Sequence, residues 1–169
     1  MNAVRAWVVA RREDLLTALF TMAVCVLIGA PAGLIWSALA PHARVVIDAD
    51  GARIANGVSE VFVAADGWFL GVALVAGLVT GFLTWLVARG SGPFVVAALA
   101  IGGSLGGLVA AEVGMRPGQD ALQQVAQAGR AGEYLANVAL QAQPAVLIWP
   151  VAAMAVFLTL VLSRVDEIG

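Results

Sequence analysis

Residues able to do chemistry are scarce in this chain, and that scarcity limits what it can be. There is one Cys (Cys25) and one His (His42), too few to close a zinc site and unable to make an intramolecular disulfide. Cys25 lies within an apolar run and reads as a small apolar residue. His42 reads as a loop residue near a membrane surface rather than a ligand or base. Glu112 closes an apolar run, placed to pair with Arg116 or with a partner, or to reach headgroup water. No charge falls in the middle of such a run, where an ion path or proton relay would need one. That argues against the small four-helix exporters that exchange protons. Thr80, Thr84 and Ser104 are expected to hydrogen-bond to backbone or between helices rather than line a pore. No nucleophile–base pair and no metal cluster emerges, so no catalytic, cofactor or metal site is expected.

Two short strings look like motifs and are set aside. Asp50-Gly51-Ala52-Arg53 carries part of the aspartate-rich signature of phosphatidyl-alcohol transferases, but its spacing is one residue short and the downstream paired aspartates are missing. Gly102-Gly103-Ser104-Leu105-Gly106-Gly107 lies inside an apolar run, so it is neither a phosphate loop nor a dinucleotide turn. The glycines carry a different signal. Small residues recur every fourth position at Gly29, Gly33 and Ser37, at Ala73, Gly77 and Gly81, and at Ala98, Gly102 and Gly106, with Gly103 and Gly107 alongside. Such rows let helix backbones approach closely in lipid, where packing drives association. They serve either packing within one bundle or docking of a larger partner's helix. Two adjacent stripes on the third run exceed what one neighbour needs, which points to a partner. Gly29, Gly33, Gly77, Gly81, Gly102, Gly103, Gly106 and Gly107 are the partner-docking candidates. Asp66, Trp68 and Glu112 are the outer-interface candidates.

The elements that must position these residues follow from composition. Of 169 residues, 62% are hydrophobic and 12% charged, and the mean hydropathy is +0.95. A soluble domain averages about 45–50% apolar and about 25% charged, so a water-soluble globule, a disordered chain and a disulfide scaffold are excluded. Nine basic residues, all Arg, against eleven acidic ones leave a net charge of −2, with no basic face for nucleic acid. A helix needs about 20 apolar residues to cross a bilayer. Uncharged runs over 15–39, 68–88 and 90–111, and a longer one over 134–163, meet that length. The spans are expected at about 15–39, 68–88, 92–112 and 144–163, with Pro144 in a first helical turn. The first run is far longer than the about 7–15 residues of a signal-peptide core, so it is expected to be retained. Pro31 and Pro150 are candidate kinks in the first and fourth spans.

Arginine placement orients the spans. Arg5, Arg11, Arg12, Arg89 and Arg164 crowd the short pieces 1–14, 89–92 and 164–169. Arg44, Arg53, Arg116 and Arg130 are spread over the longer loops 40–67 and 113–143. Both termini are therefore expected in the cytoplasm. The first outer loop is expected to form a short hairpin, with strands at Arg44–Ile47 and Ala52–Ala55 around an Asp48–Gly51 turn and a further turn at Asn56-Gly57. Asp66 is expected as the N-cap of the second span, with Trp68 at headgroup level. In the second outer loop an amphipathic helix is expected near 119–129, interrupted around Gly129 and Gly132. The fold class expected is thus an all-α integral membrane protein of four transmembrane helices, forming one domain over 1–169.

The run Glu60-Val61-Phe62-Val63-Ala64-Ala65-Asp66-Gly67-Trp68-Phe69 and the stretch Gly103-Ser104-Leu105-Gly106-Gly107-Leu108-Val109-Ala110-Ala111-Glu112 resemble an actinobacterial family of small four-span membrane proteins of unknown function. That family is taken to include the LucB-type accessory subunits of mycobacterial Mce-type lipid importers. The resemblance covers about residues 15–165. It implies a non-catalytic accessory or regulatory subunit beside the permease of an ATP-driven lipid (fatty acid) importer in the inner (plasma) membrane. It carries no catalytic residues across. The rival expectations are a free-standing small transporter or lipid-binding protein acting as a homo-oligomer, and an intramembrane enzyme using Glu112, His42 or Asp66.

Overall fold

A computed structural model describes residues 2–48, 51–54, 58–88, 93–128, 132–136 and 140–166. Four long helices, α1 (Asn2–Leu39), α2 (Val58–Val87), α3 (Pro93–Ala128) and α4 (Ile148–Asp166), make the body of the protein. A 3-10 turn, Gln143–Leu147, runs directly into α4, with Pro144 at its start as its fixed φ allows. Each helix is long and apolar enough to cross a membrane, over Arg12–Leu39, Glu60–Val87, Pro93–Pro117 and Gln143–Arg164. These four spans are consistent with a multi-pass membrane protein.

α1 lies along α3, α2 along α4, and α3 also packs on α4. Half of the α3 span is buried, against a third for α1 and α2; α3 packs on α1 and α4, while α2 rests mainly on α4 and α1. The buried stripe of α2 shows why its sequence folds as it does. Ala65, Phe69, Ala73, Ala76, Thr80 and Thr84 recur at three- and four-residue intervals and are all buried, a helical row facing the bundle. The core is filled by large side chains set among these small ones: Trp36, Trp149, Phe69 and Leu99 are 2% exposed or less.

The linking segments form a small antiparallel sheet. β1 (Ala43–Asp48) and β2 (Gly51–Ile54) lie between α1 and α2, and β3 (Gly132–Ala136) lies between α3 and α4. The order is β2-β1-β3. Val45 pairs with Ile54 on one side and with Tyr134 on the other. β3 thus ties the α3–α4 link to the α1–α2 link.

Several boundaries differ from expectation. α2 begins at Val58, ten residues before the expected start at 68, because Ala65 already belongs to its buried stripe and Glu60 places a negative charge in its first turn. α3 does not end at 112 and resume near 119; it runs unbroken to Ala128 with Pro117 inside it. Pro117 is exposed. α1 begins at Asn2 and continues through Pro31. Pro150 sits at the third residue of α4, not mid-helix, where it interrupts little of the hydrogen-bond ladder. The expected turns at Ala49-Asp50, Asn56-Gly57, 89–92 and Gly129 fall outside the described residues.

Candidate functional site

All eight docking-candidate glycines face other helices of the same chain. A β-carbon added at Gly29 would stand 2.5 Å from the Gly106 carbonyl oxygen, and one at Gly106 would stand 2.6 Å from that of Cys25. Gly33 seats against Ala110, and Gly102 against the backbone of Met22. These contacts join α1 to α3. On the other side of α3, a β-carbon at Gly103 would lie 2.9 Å from the Pro150 Cα, and one at Gly107 would lie 2.8 Å from a Val146 methyl. Gly77 and Gly81 seat α2 against Trp149, Ala152 and Ala153 of α4. The two stripes on α3 therefore serve two different neighbours, α1 and α4. The expected docking face on these rows is corrected: each glycine is covered within the bundle, and its lack of a side chain is what lets the backbones meet.

The helices converge on a polar knot at the middle of the bundle. The indole Nε1 of Trp149 donates to the Thr80 hydroxyl at 3.1 Å, and that hydroxyl donates to the Ala76 carbonyl at 2.8 Å. Cys25, a free and buried thiol, lies against Thr80. Gly106 completes the junction from α3, a β-carbon there reaching within 3.4 Å of the Trp149 ring. One residue from each helix thus meets at the knot. Thr84 donates to the Thr80 carbonyl and Ser104 to the Ala100 carbonyl, so these hydroxyls bond backbone within their own helices. Among the described residues no buried side-chain polar atom lacks a hydrogen-bond partner.

A second constellation lies near the sheet end. Asp66 is not the N-cap of α2, because the helix begins eight residues earlier. Its carboxylate instead accepts the N–H groups of Gln141, at 3.1 Å, and Ala142, at 3.0 Å. Ala142 is the N-cap of the 3-10 turn and offers no side-chain cap of its own. Asp66 therefore caps the chain leading into α4 from across the bundle, an anion where helix-start N–H groups point. Next to it, Trp36 Nε1 donates to the Ala65 carbonyl at 2.9 Å, and the Trp36 and Phe69 rings meet edge to face with centroids 5.1 Å apart. This clasp joins α1, α2 and the segment leading to α4.

The remaining candidates are more exposed. Glu112 and Arg116 form an ion pair at 3.9 Å along α3, with side chains 63% and 66% exposed, a geometry of small energetic consequence in water. Trp68, 47% exposed, lies in the wall of an apolar groove between α1 and α2. His42 is exposed in the link after α1. Near the opposite end, the Arg164 guanidinium lies 4.7 Å from the centre of the Trp85 ring, a cation–π contact close to the end of α4.

Reading the sequence alone missed Gly67 and Gly71. These two exposed glycines on α2 have open space where a β-carbon would stand. Their four-residue spacing was visible, but glycine spacing alone does not reveal which row the chain's own helices cover. No family model matches the chain, and no curated protein or solved structure is significantly similar to it.

Proposed function

We propose that this chain is a non-catalytic accessory subunit of a multi-component lipid importer of the ABC-driven Mce type. In this reading it sits beside the permease in the inner (plasma) membrane, with both termini cytoplasmic and the three-stranded sheet on the outer side. The observation that supports the accessory role is the filled middle of the bundle. Where a carrier would hold its cargo, Trp149, Thr80, Cys25 and Gly106 are locked against one another. A chain whose centre is packed solid contributes to transport by being held against a component that has a passage.

The kind of complex rests on the resemblance carried by Glu60–Phe69 and Gly103–Glu112. The docking surface lies off the internal glycine rows, since those are covered. What is left to a partner is the lipid-facing exterior and the sheet. Affinity purification from native membranes in a mild detergent tests the reading. A permease and its ATPase recovered in fixed ratio with the chain support it. Lipid flux through vesicles containing the chain alone would instead favour a free-standing homo-oligomeric lipid transporter.

A further inference from the structure

At the end of the bundle opposite the sheet, α2 and α4 finish side by side. Their spans end at Val87 and Arg164, so Trp85 and Arg164 lie where hydrocarbon gives way to headgroups. The Arg164 guanidinium is 4.7 Å from the centre of the Trp85 ring. That ring in turn stacks on Phe82, with centroids 5.9 Å apart. Phe82 forms one wall of an open apolar groove between the two helices, and Ala155, Val156, Thr159 and Leu160 of α4 form the other. Along α4, Leu160 is about one turn from Arg164 and Ala155 about 13 Å from it. The groove therefore leads from the cation into the depth of lipid tails. The hydroxyl on this wall, that of Thr159, donates to the Ala155 carbonyl at 2.8 Å.

Charge selects what covers this face. Arg164 is exposed, and among the described residues no carboxylate pairs with it. A guanidinium carries a planar fork of N–H donors that matches phosphate geometry, and the indole beside it restrains that fork. At this depth the anions a membrane offers are lipid phosphates. A dissolved anion would leave the apolar wall beyond the cation uncovered. A phospholipid carries a phosphate and then hydrocarbon, the order in which Arg164 and the groove are arranged. We propose that one anionic phospholipid docks here, its phosphate on Arg164 and one acyl chain along the α2–α4 groove. The site belongs to the isolated chain and does not rest on the importer reading.

The test is a competition between two lipids. The chain is reconstituted in nanodiscs of equimolar palmitoyl-oleoyl phosphatidylglycerol and phosphatidylcholine, released, and weighed with its retained lipid by native mass spectrometry. Phosphatidylglycerol should be retained about five-fold over phosphatidylcholine, the preference that one basic side chain gives at a membrane surface. Arg164→Ala should bring the ratio to parity. Arg12→Ala removes another exposed arginine, where the α1 span begins at the same end of the bundle, and should leave the ratio unchanged. Ala155→Trp fills the groove from an exposed position with Arg164 in place. It should cut the retained phosphatidylglycerol by more than half, and it serves as the second variant should Arg164→Ala not fold. No preference on the unmodified chain would overturn the proposal. So would an equal drop in Arg12→Ala, or full retention in Ala155→Trp. A preference left intact in Arg164→Ala, with a co-purifying protein released instead, would assign the guanidinium to a protein partner and equally overturn it.

Discussion

Asp66 and Ala142, 76 positions apart in sequence, are joined by a hydrogen bond of 3.0 Å from the Ala142 N–H to Asp66 Oδ2. The other carboxylate oxygen accepts from Gln141, so a single side chain on α2 fixes the chain that leads into α4. Asp66→Asn keeps the shape but replaces one acceptor oxygen with an amide donor, leaving one N–H facing another donor. Thermal unfolding in detergent should show a loss of about 1 kcal/mol, the scale of one charge-assisted hydrogen bond at a partly exposed site. Unchanged stability would mean that the clasp does not hold the α4 start.

The Trp149–Thr80 bond is the corresponding test at the centre of the bundle. Thr80→Val preserves volume but leaves the buried indole N–H without its acceptor. A loss of about 1 kcal/mol is expected, within the range for hydrogen bonds between membrane helices. Thr80→Ser restores the acceptor and should recover most of it. If Val and Ser variants melt alike, the knot contributes packing only.

Glycines in one chain should answer the same substitution with opposite signs. Gly106→Ala pushes a methyl into the α1 backbone at Cys25 and should destabilise by about 1–3 kcal/mol. Gly67→Ala meets nothing and should stabilise by up to about 1 kcal/mol, since glycine is a poor residue inside a helix. Melting temperatures moving the same way in both variants would contradict the assignment of covered and uncovered rows.

The single buried thiol makes topology directly measurable. Cys25 is fully buried, so the unmodified chain should not react with a maleimide until it is unfolded. On that silent background, a cysteine at His42 should label from outside intact cells, and one at Arg164 only after permeabilisation. The reverse pattern would place both termini on the outer side.

The parts of the fold that depend on local composition were legible in the sequence. Four apolar runs mark the four spans, because the requirement for about 20 apolar residues is set by the bilayer and not by neighbours. Pro144 likewise signalled the start of the fourth span. Features that depend on distant partners were not legible. Asp66 before Trp68 looks like a local N-cap, and only the packed bundle shows that its N–H partners lie at 141 and 142. β3 carries little local strand signal; it forms because β1 offers it an edge. The double stripe on α3 looked like surplus for a foreign helix, yet Gly103 and Gly107 are needed by α4. Glycine spacing announces that something approaches closely without saying which helix does.

The proposed role as an importer subunit is tested most directly by what leaves the native membrane with the chain. Tagged at its C-terminus and extracted in a mild detergent, it should elute with a lipid-importer permease and its ATPase at constant stoichiometry through size exclusion. A homogeneous elution of the chain alone, from membranes in which that permease is intact, would contradict the account.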